Sequence, residues 1–286
     1  MTINNGMLRF IKNIDITLIS SILIPIGLIY YHSTLFLWAL ILAWVLCNFI
    51  CIVTHEGWGH QYIVIKNKYI GYFLDFIGYL VNWLPFSVGI NNFSSRGWWK
   101  CLHHHHHRIW LEDYKLNKQT VSPYDHVQYE LDNNHWVVYL FFGKRKFIPN
   151  IYNKQIIDRD IARMRDNLDP IESFIDQHIN WMMWAFHLFF IILFGLEYYF
   201  YFVLLQVWIW QRYMLLFQEI IPHYGHKDRF EDHDYPWWFL VCTGNAYHVD
   251  HHRNVSVINF GPGWIKYINP QYYFTKLFYT IRVPIA

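Results

Sequence analysis

Long uninterrupted apolar runs dominate the chain, in place of the amphipathic stripes that a soluble helical protein would show. About 20 mostly apolar residues of helix cross the roughly 30 Å hydrocarbon core of a bilayer. Two runs of that length, 14–31 and 35–53, are separated only by "HST", which predicts a tight helical hairpin. The run 179–221 is twice as long and divides near "FGLE", predicting a second hairpin with spans 179–195 and 198–221. A fifth apolar stretch, 69–90, is interrupted by Asp75, Asn82 and Pro85 and predicts an interfacial helix instead of a span. The expected fold is therefore all-α and integral to the membrane. It is one domain over 1–286, with four transmembrane helices in two hairpins and a helical cap formed by 91–178 and 222–286.

Composition supports this pattern: 54% of residues are hydrophobic, 21% aromatic and only 15% charged, an unusual balance for a soluble globule. A net charge of +2, with no basic run interleaved with aromatics, gives no support for a nucleic-acid partner. The 23 Lys and Arg residues avoid both hairpin tips, so the positive-inside rule places both termini and the cap in the cytoplasm. The first run lacks a small-x-small cleavage site and leads directly into a second span, which reads as a retained anchor. Cys47, Cys51, Cys101 and Cys242 form no CxxC pair and read as buried hydrophobes.

Candidate chemistry lies in the 18 histidines. "HEGWGH" carries His55 and His60, "HHHHH" covers 103–107, and "HVDHH" carries His248, His251 and His252. By the topology above, all three clusters face the cytoplasm at the membrane boundary. At about 100° per residue, an HxxHH spacing gathers three rings within a roughly 100° arc of one helix face. His248, His251 and His252 satisfy that spacing. In the five-histidine run two triads fit equally well, His103 with His106 and His107, or His103 with His104 and His107. His55 and His60 are five residues apart, about 140° around an α-helix, so they do not share a face, and Gly57 and Gly59 suggest that the helix ends there. Imidazole suits Zn, Cu, Fe and Ni, and this many convergent rings exceed the needs of one tetrahedral zinc. Two metal ions are the inference, iron being the redox-active candidate. His32, His126, His135, His187 and His233 stand apart from the clusters and read as polar partners or bystanders.

The order HxxxxH, HxxHH, HxxHH, with the first and third boxes each following a membrane hairpin, resembles the integral-membrane fatty acid desaturase superfamily. This resemblance favours His103, His106 and His107 as the triad of the middle box. In acyl-CoA members an Asn-xxx-His element near the end of the fourth span supplies a further ligand. The matching stretch here, "EIIPH", makes His223 that ligand and replaces the Asn by Glu219. Glu56, Glu219, Asn245 and Asp250 are then candidates for outer-sphere or water-linked roles. The resemblance implies a non-haem centre of two Fe ions, O2 as co-substrate, and a lipid acyl substrate carried as acyl-CoA, acyl-ACP or an intact acyl lipid. Its usual product is a C=C bond; related members are hydroxylases and ketolases. No haem motif of cytochrome b5 and no cysteine set for a ferredoxin or rubredoxin occurs in the chain, so such an electron donor would be separate. Lys144, Arg145 and Lys146 are a candidate docking patch for that donor.

Two rivals come from other classes. A zinc protease would need HExxH with its histidines four residues apart, and here the separation is five. A His-rich metal transporter or sensor would place its ligands within the spans, whereas these clusters lie at the interface.

Overall fold

A computed structural model of the full chain describes residues 24, 26–28, 34–82, 95–104, 106–107, 159, 162–214, 258, 260–261 and 263–285. Helix α1, Leu35–Cys51, continues into a π-helical stretch, Ile52–His60. After strand β1, Ile63–Ile65, come α2, Lys68–Asn82, and the single-turn α3, Ser95–Trp98, which leads into a second π-helical stretch, Trp99–His103. Next follow α4, Pro170–Tyr199, a π-helical turn, Phe200–Leu204, and α5, Leu205–Tyr213. A 3₁₀ turn, Ile265–Ile268, then precedes α6, Pro270–Phe278, and strand β2, Tyr279–Ile281.

Among the described residues, two helical segments are long and apolar enough to cross a membrane, Leu35–His60 and Pro170–Trp210. Their outer faces carry bare apolar side chains such as Trp38, Trp44, Trp181, Leu188 and Ile192, a covering that suits lipid better than water. The span expected at 14–31 falls almost wholly outside the described residues, as does most of the expected cap. The division expected at "FGLE" occurs at Gly195, whose φ of 82° and ψ of 172° interrupt the helix. There the chain reverses. His187 Nδ1 lies 2.9 Å from the Tyr199 hydroxyl, although twelve residues of straight helix would separate them by about 18 Å.

Three details differ from the sequence-based expectation. Helix α4 begins at Pro170, not 179, because Asp169 caps it. Asp169 accepts from the backbone N–H of Ile171 and Glu172 while the Glu172 carboxylate accepts from the Asp169 N–H. A small antiparallel pair, β1 with β2, departs from an all-α chain, pairing Ile63 with Ile281 and Ile65 with Tyr279. Its β-branched "IVI" follows Gln61, whose left-handed φ of 61° ends the preceding helix. Finally, the helix of the first box does not end at Gly57 or Gly59 but runs to His60 in a wider winding.

Helix α2 is the scaffold behind the boxes. Asp75 and Asn82, which interrupt its apolar pattern, lie seven residues apart on one helical face together with Gly71, Gly78 and Tyr79. That face turns inward, while Tyr69, Ile70 and Phe73 point outward.

Candidate metal centre

The π winding brings the first box together. A helix with i→i+5 hydrogen bonds turns about 80° per residue, so five residues return to within about 40° of the starting face. Threonine favours that winding here. The Thr54 hydroxyl donates back to the carbonyls of Ile50, at 3.0 Å, and Cys51, at 3.3 Å, loosening the α-type ladder. The helix closes with the Gln61 and Tyr62 N–H groups both directed to the Glu56 carbonyl. His55 and His60 then face the same side, their ring centroids 5.0 Å apart.

Opposite them stands the second box. His103 Nε2 lies 3.1 Å from His60 Nε2 and 2.9 Å from His107 Nε2, and the ring of His55 is 4.4 Å from that of His103. One ligand atom from each of His55, His60, His103 and His107 falls within 4.8 Å of every other, a group that could hold a metal ion. Around an ion with metal–nitrogen bonds of about 2.0–2.1 Å, nitrogens at right angles or tetrahedral angles are separated by about 2.9–3.4 Å.

Two observations test whether the residues suit a cation. An imidazole nitrogen carries one hydrogen or one lone pair, so His103 Nε2 cannot form good hydrogen bonds to both neighbouring nitrogens as acceptor alone or as donor alone. Three lone pairs turned toward a shared cation resolve that conflict. The second observation is Glu56. Its Oε1 accepts from His55 Nδ1 at 2.8 Å, which leaves Nε2 of that ring as its basic nitrogen. Its Oε2 is buried with no hydrogen-bond partner among the described residues, the state expected of a carboxylate that meets a cation or a water bound to one.

His106 is buried but stands outside the four-histidine group, its ring 6.3 Å from that of His103. His104 is exposed. The described residues thus bring together His103 and His107, which both sequence-derived triads share, and leave His106 to a different environment. His223, His248, His251 and His252, with Glu219, Asn245 and Asp250, lie outside the described residues.

Sequence reasoning missed the residues that hold the boxes against each other. Trp58, midway through the first box, is buried and donates its indole N–H to Asp75 at 2.7 Å. Arg96, just before the second box, places its guanidinium 3.5 Å from the other Asp75 oxygen and 3.4 Å from Glu172, and lies over the Trp58 ring at 5.6 Å. Burial pushes the Asp75 carboxyl above its ordinary range, opposed by Arg96 and the Trp58 N–H. One helical turn pair further along α2, Asn82 Oδ1 accepts from both Trp99 and Trp210, each at 3.1 Å. The signal available in the sequence was Asp75 and Asn82 on one face of α2, with glycines that admit bulky neighbours. A Cβ at Gly78 would sit 2.7 Å from the Trp58 ring.

No protein-family profile, curated protein sequence or solved structure matches the chain.

Proposed function

We propose that the chain is a membrane-bound, O2-dependent oxidoreductase of the non-haem diiron type that acts on a lipid acyl chain, introducing a C=C bond with electrons from a separate donor. The observation that carries the reading is the meeting of four histidines from two sequence-distant boxes at the end of a membrane-length apolar helix. His55, His60, His103 and His107 would hold one iron, and His106 with the third box would serve a second. Iron bound there would supply the redox chemistry that no side chain provides. The protein's own residues orient and enclose: Glu56 fixes the tautomer of His55, and Trp99 walls the cluster, its ring 6.1 Å from His55 and 5.5 Å from His103.

Lipid profiling of cells expressing the chain, beside His103→Ala and His251→Ala variants, tests the proposal. A new unsaturated acyl species lost in both variants is expected. A hydroxylated or ketonic product would move the assignment to a hydroxylase or ketolase; no lipid product at all would reject it.

A second reading, a histidine-based metal transporter or sensor, draws on one specific feature. Four imidazoles around one point already complete a tetrahedral site for a single ion. Metal analysis separates the two: about two irons per chain for the oxidoreductase, one exchangeable zinc for the alternative.

A further inference from the structure

We propose that α6, the 3₁₀ turn before it and the start of α2 form one surface that seats on the headgroup layer of an anionic phospholipid bilayer. The proposal rests on the membrane reading above; the sequence pattern already expects the stretch from residue 69 at the interface, and the proposal adds α6 and its 3₁₀ turn, which that pattern assigned to the cytoplasmic cap. Residues 61–73 and 263–285 carry Lys66, Lys68, Lys266, Lys276 and Arg282 and not one Asp or Glu. The two segments are joined. The β1–β2 pair connects them, the Lys66 N–H donates to the Phe278 carbonyl at 2.8 Å, and its ammonium reaches the Lys276 carbonyl. The Tyr273 hydroxyl ties α6 back to the Tyr267 carbonyl at 2.8 Å.

Between these cations the surface is apolar. Tyr69 is 69% exposed, Phe73 62%, Trp264 62% and Leu277 68%. Three lysines lie with their ammonium groups over tyrosine rings: Lys68 over Tyr69 at 5.3 Å, Lys266 over Tyr267 at 5.7 Å and Lys276 over Tyr272 at 4.6 Å. Tyr69 and Tyr267 are exposed, whereas Tyr272 is buried beneath Lys276; exposed aromatic bodies with lysine heads beside them are the pattern of a bilayer interface, where the ring enters the headgroup region and the ammonium meets phosphate. An acidic soluble protein would match the charges but leave the large apolar side chains between them without a counterpart. Depth is consistent too. The Phe274 ring of α6 stacks on Phe49 at 4.7 Å, in the last turns of α1 where a span would reach the surface.

The test uses the full chain in nanodiscs of phosphatidylcholine with or without phosphatidylglycerol. An environment-sensitive fluorescent amino acid is placed at 277 or, in a separate protein, at 188, an exposed position on α4. Nitroxide lipids labelled at the headgroup or mid-chain serve as quenchers. The 277 probe is expected to be quenched by the headgroup nitroxide in anionic discs. Quenching should fall about threefold or more in neutral discs and in a variant combining Lys68→Gln, Lys266→Gln and Lys276→Gln. The 188 probe should be quenched mid-chain throughout. An aqueous, lipid-insensitive 277 probe beside a quenched 188 probe overturns the proposal and leaves the surface to a soluble acidic partner. Equal quenching in neutral discs, or in the triple variant, overturns the anionic headgroup as its ligand. If the 188 probe is also aqueous, the membrane reading fails and the proposal fails with it.

Discussion

The indole N–H of Trp58 donates to Asp75 at 2.7 Å, and the same carboxylate faces Arg96 at 3.5 Å. One buried side chain on α2 thereby holds Trp58, inside the first box, and Arg96, seven residues before the second. Removing half of a buried charged network costs more than the network contributes, because a charge is left without its partner. Asp75→Asn keeps the acceptor for Trp58 but loses the charge facing Arg96; Trp58→Phe keeps an aromatic ring but loses the donor and part of the indole's bulk. Each variant should bind metal about 10-fold more weakly while retaining the helical circular-dichroism signal, because the segments that carry the two boxes lose their fixed separation, an effect at the low end of what changes outside the ligand set cost. Because the two changes touch one interaction, the double variant should lose less than the sum of both. Strict additivity in metal affinity would mean that the bond does not position the boxes.

The histidine cluster makes a prediction about metal number. His55→Ala, His60→Ala, His103→Ala or His107→Ala removes one ligand from the group of four and should abolish tight binding of the ion held there. His106→Ala should instead leave that ion bound and release a second one. His104→Ala, at an exposed position, should change neither. Metal per chain after dialysis checks this, and a His106→Ala protein with unchanged metal content would argue against a second site.

The boxes themselves were legible because ligand identity is written directly in the sequence. Their relative placement was not. The angle between His55 and His60 depends on whether the backbone winds at 3.6 residues per turn or more loosely, and the Thr54 back-bonds that loosen it leave no periodic trace. Asp75 and Asn82 looked like flaws in an apolar run because periodicity weighs polarity and not partners; their partners, Trp58, Trp99 and Trp210, come from three other segments. The start of α4 was legible in "DPIE", an N-cap Asp, a first-turn Pro and a Glu at the third helical position, yet the apolar window begins nine residues later. The short β pair joins segments more than two hundred residues apart, a distance at which a three-residue strand carries no pairing signal of its own.

Asp169 gives a stability prediction with a definite pH sign. Burial raises its carboxyl, but the Glu172 N–H, the Tyr72 hydroxyl and the Ile171 N–H together hold it below its ordinary 3.8. A depressed carboxylate contributes stability that is present above the unfolded value and is lost as pH falls through the folded one. Asp169→Ala should destabilise the protein by about 1 kcal/mol at neutral pH. The difference from wild type should narrow below about pH 4, as the unfolded and then the folded carboxyl takes up a proton. Unfolding in detergent at pH 7 and at the acid end would show a constant difference if the cap did not depend on the charge.

Gly59 gives the sharpest separation of site from scaffold. A Cβ there would lie 3.2 Å from Cδ2 of His103, closer than side chains usually tolerate, so the ring must shift by a few tenths of an ångström. Gly57, two residues earlier in the same π-helical stretch, would place its Cβ 3.8 Å from the Ile52 carbonyl and 3.9 Å from Ile63, ordinary contact distances. Neither glycine has a positive φ, so alanine introduces no backbone strain at either, and both substitutions gain the same helix propensity, about 1 kcal/mol at most. Folding stability should therefore respond alike to Gly57→Ala and Gly59→Ala. Metal should not. Gly59→Ala is expected to weaken binding about 10-fold and to shift the visible spectrum of the cobalt-substituted protein, while Gly57→Ala leaves both near wild type. If the two variants bind cobalt identically, His103 is free to move without consequence and the four-histidine arrangement does not set the metal's coordination.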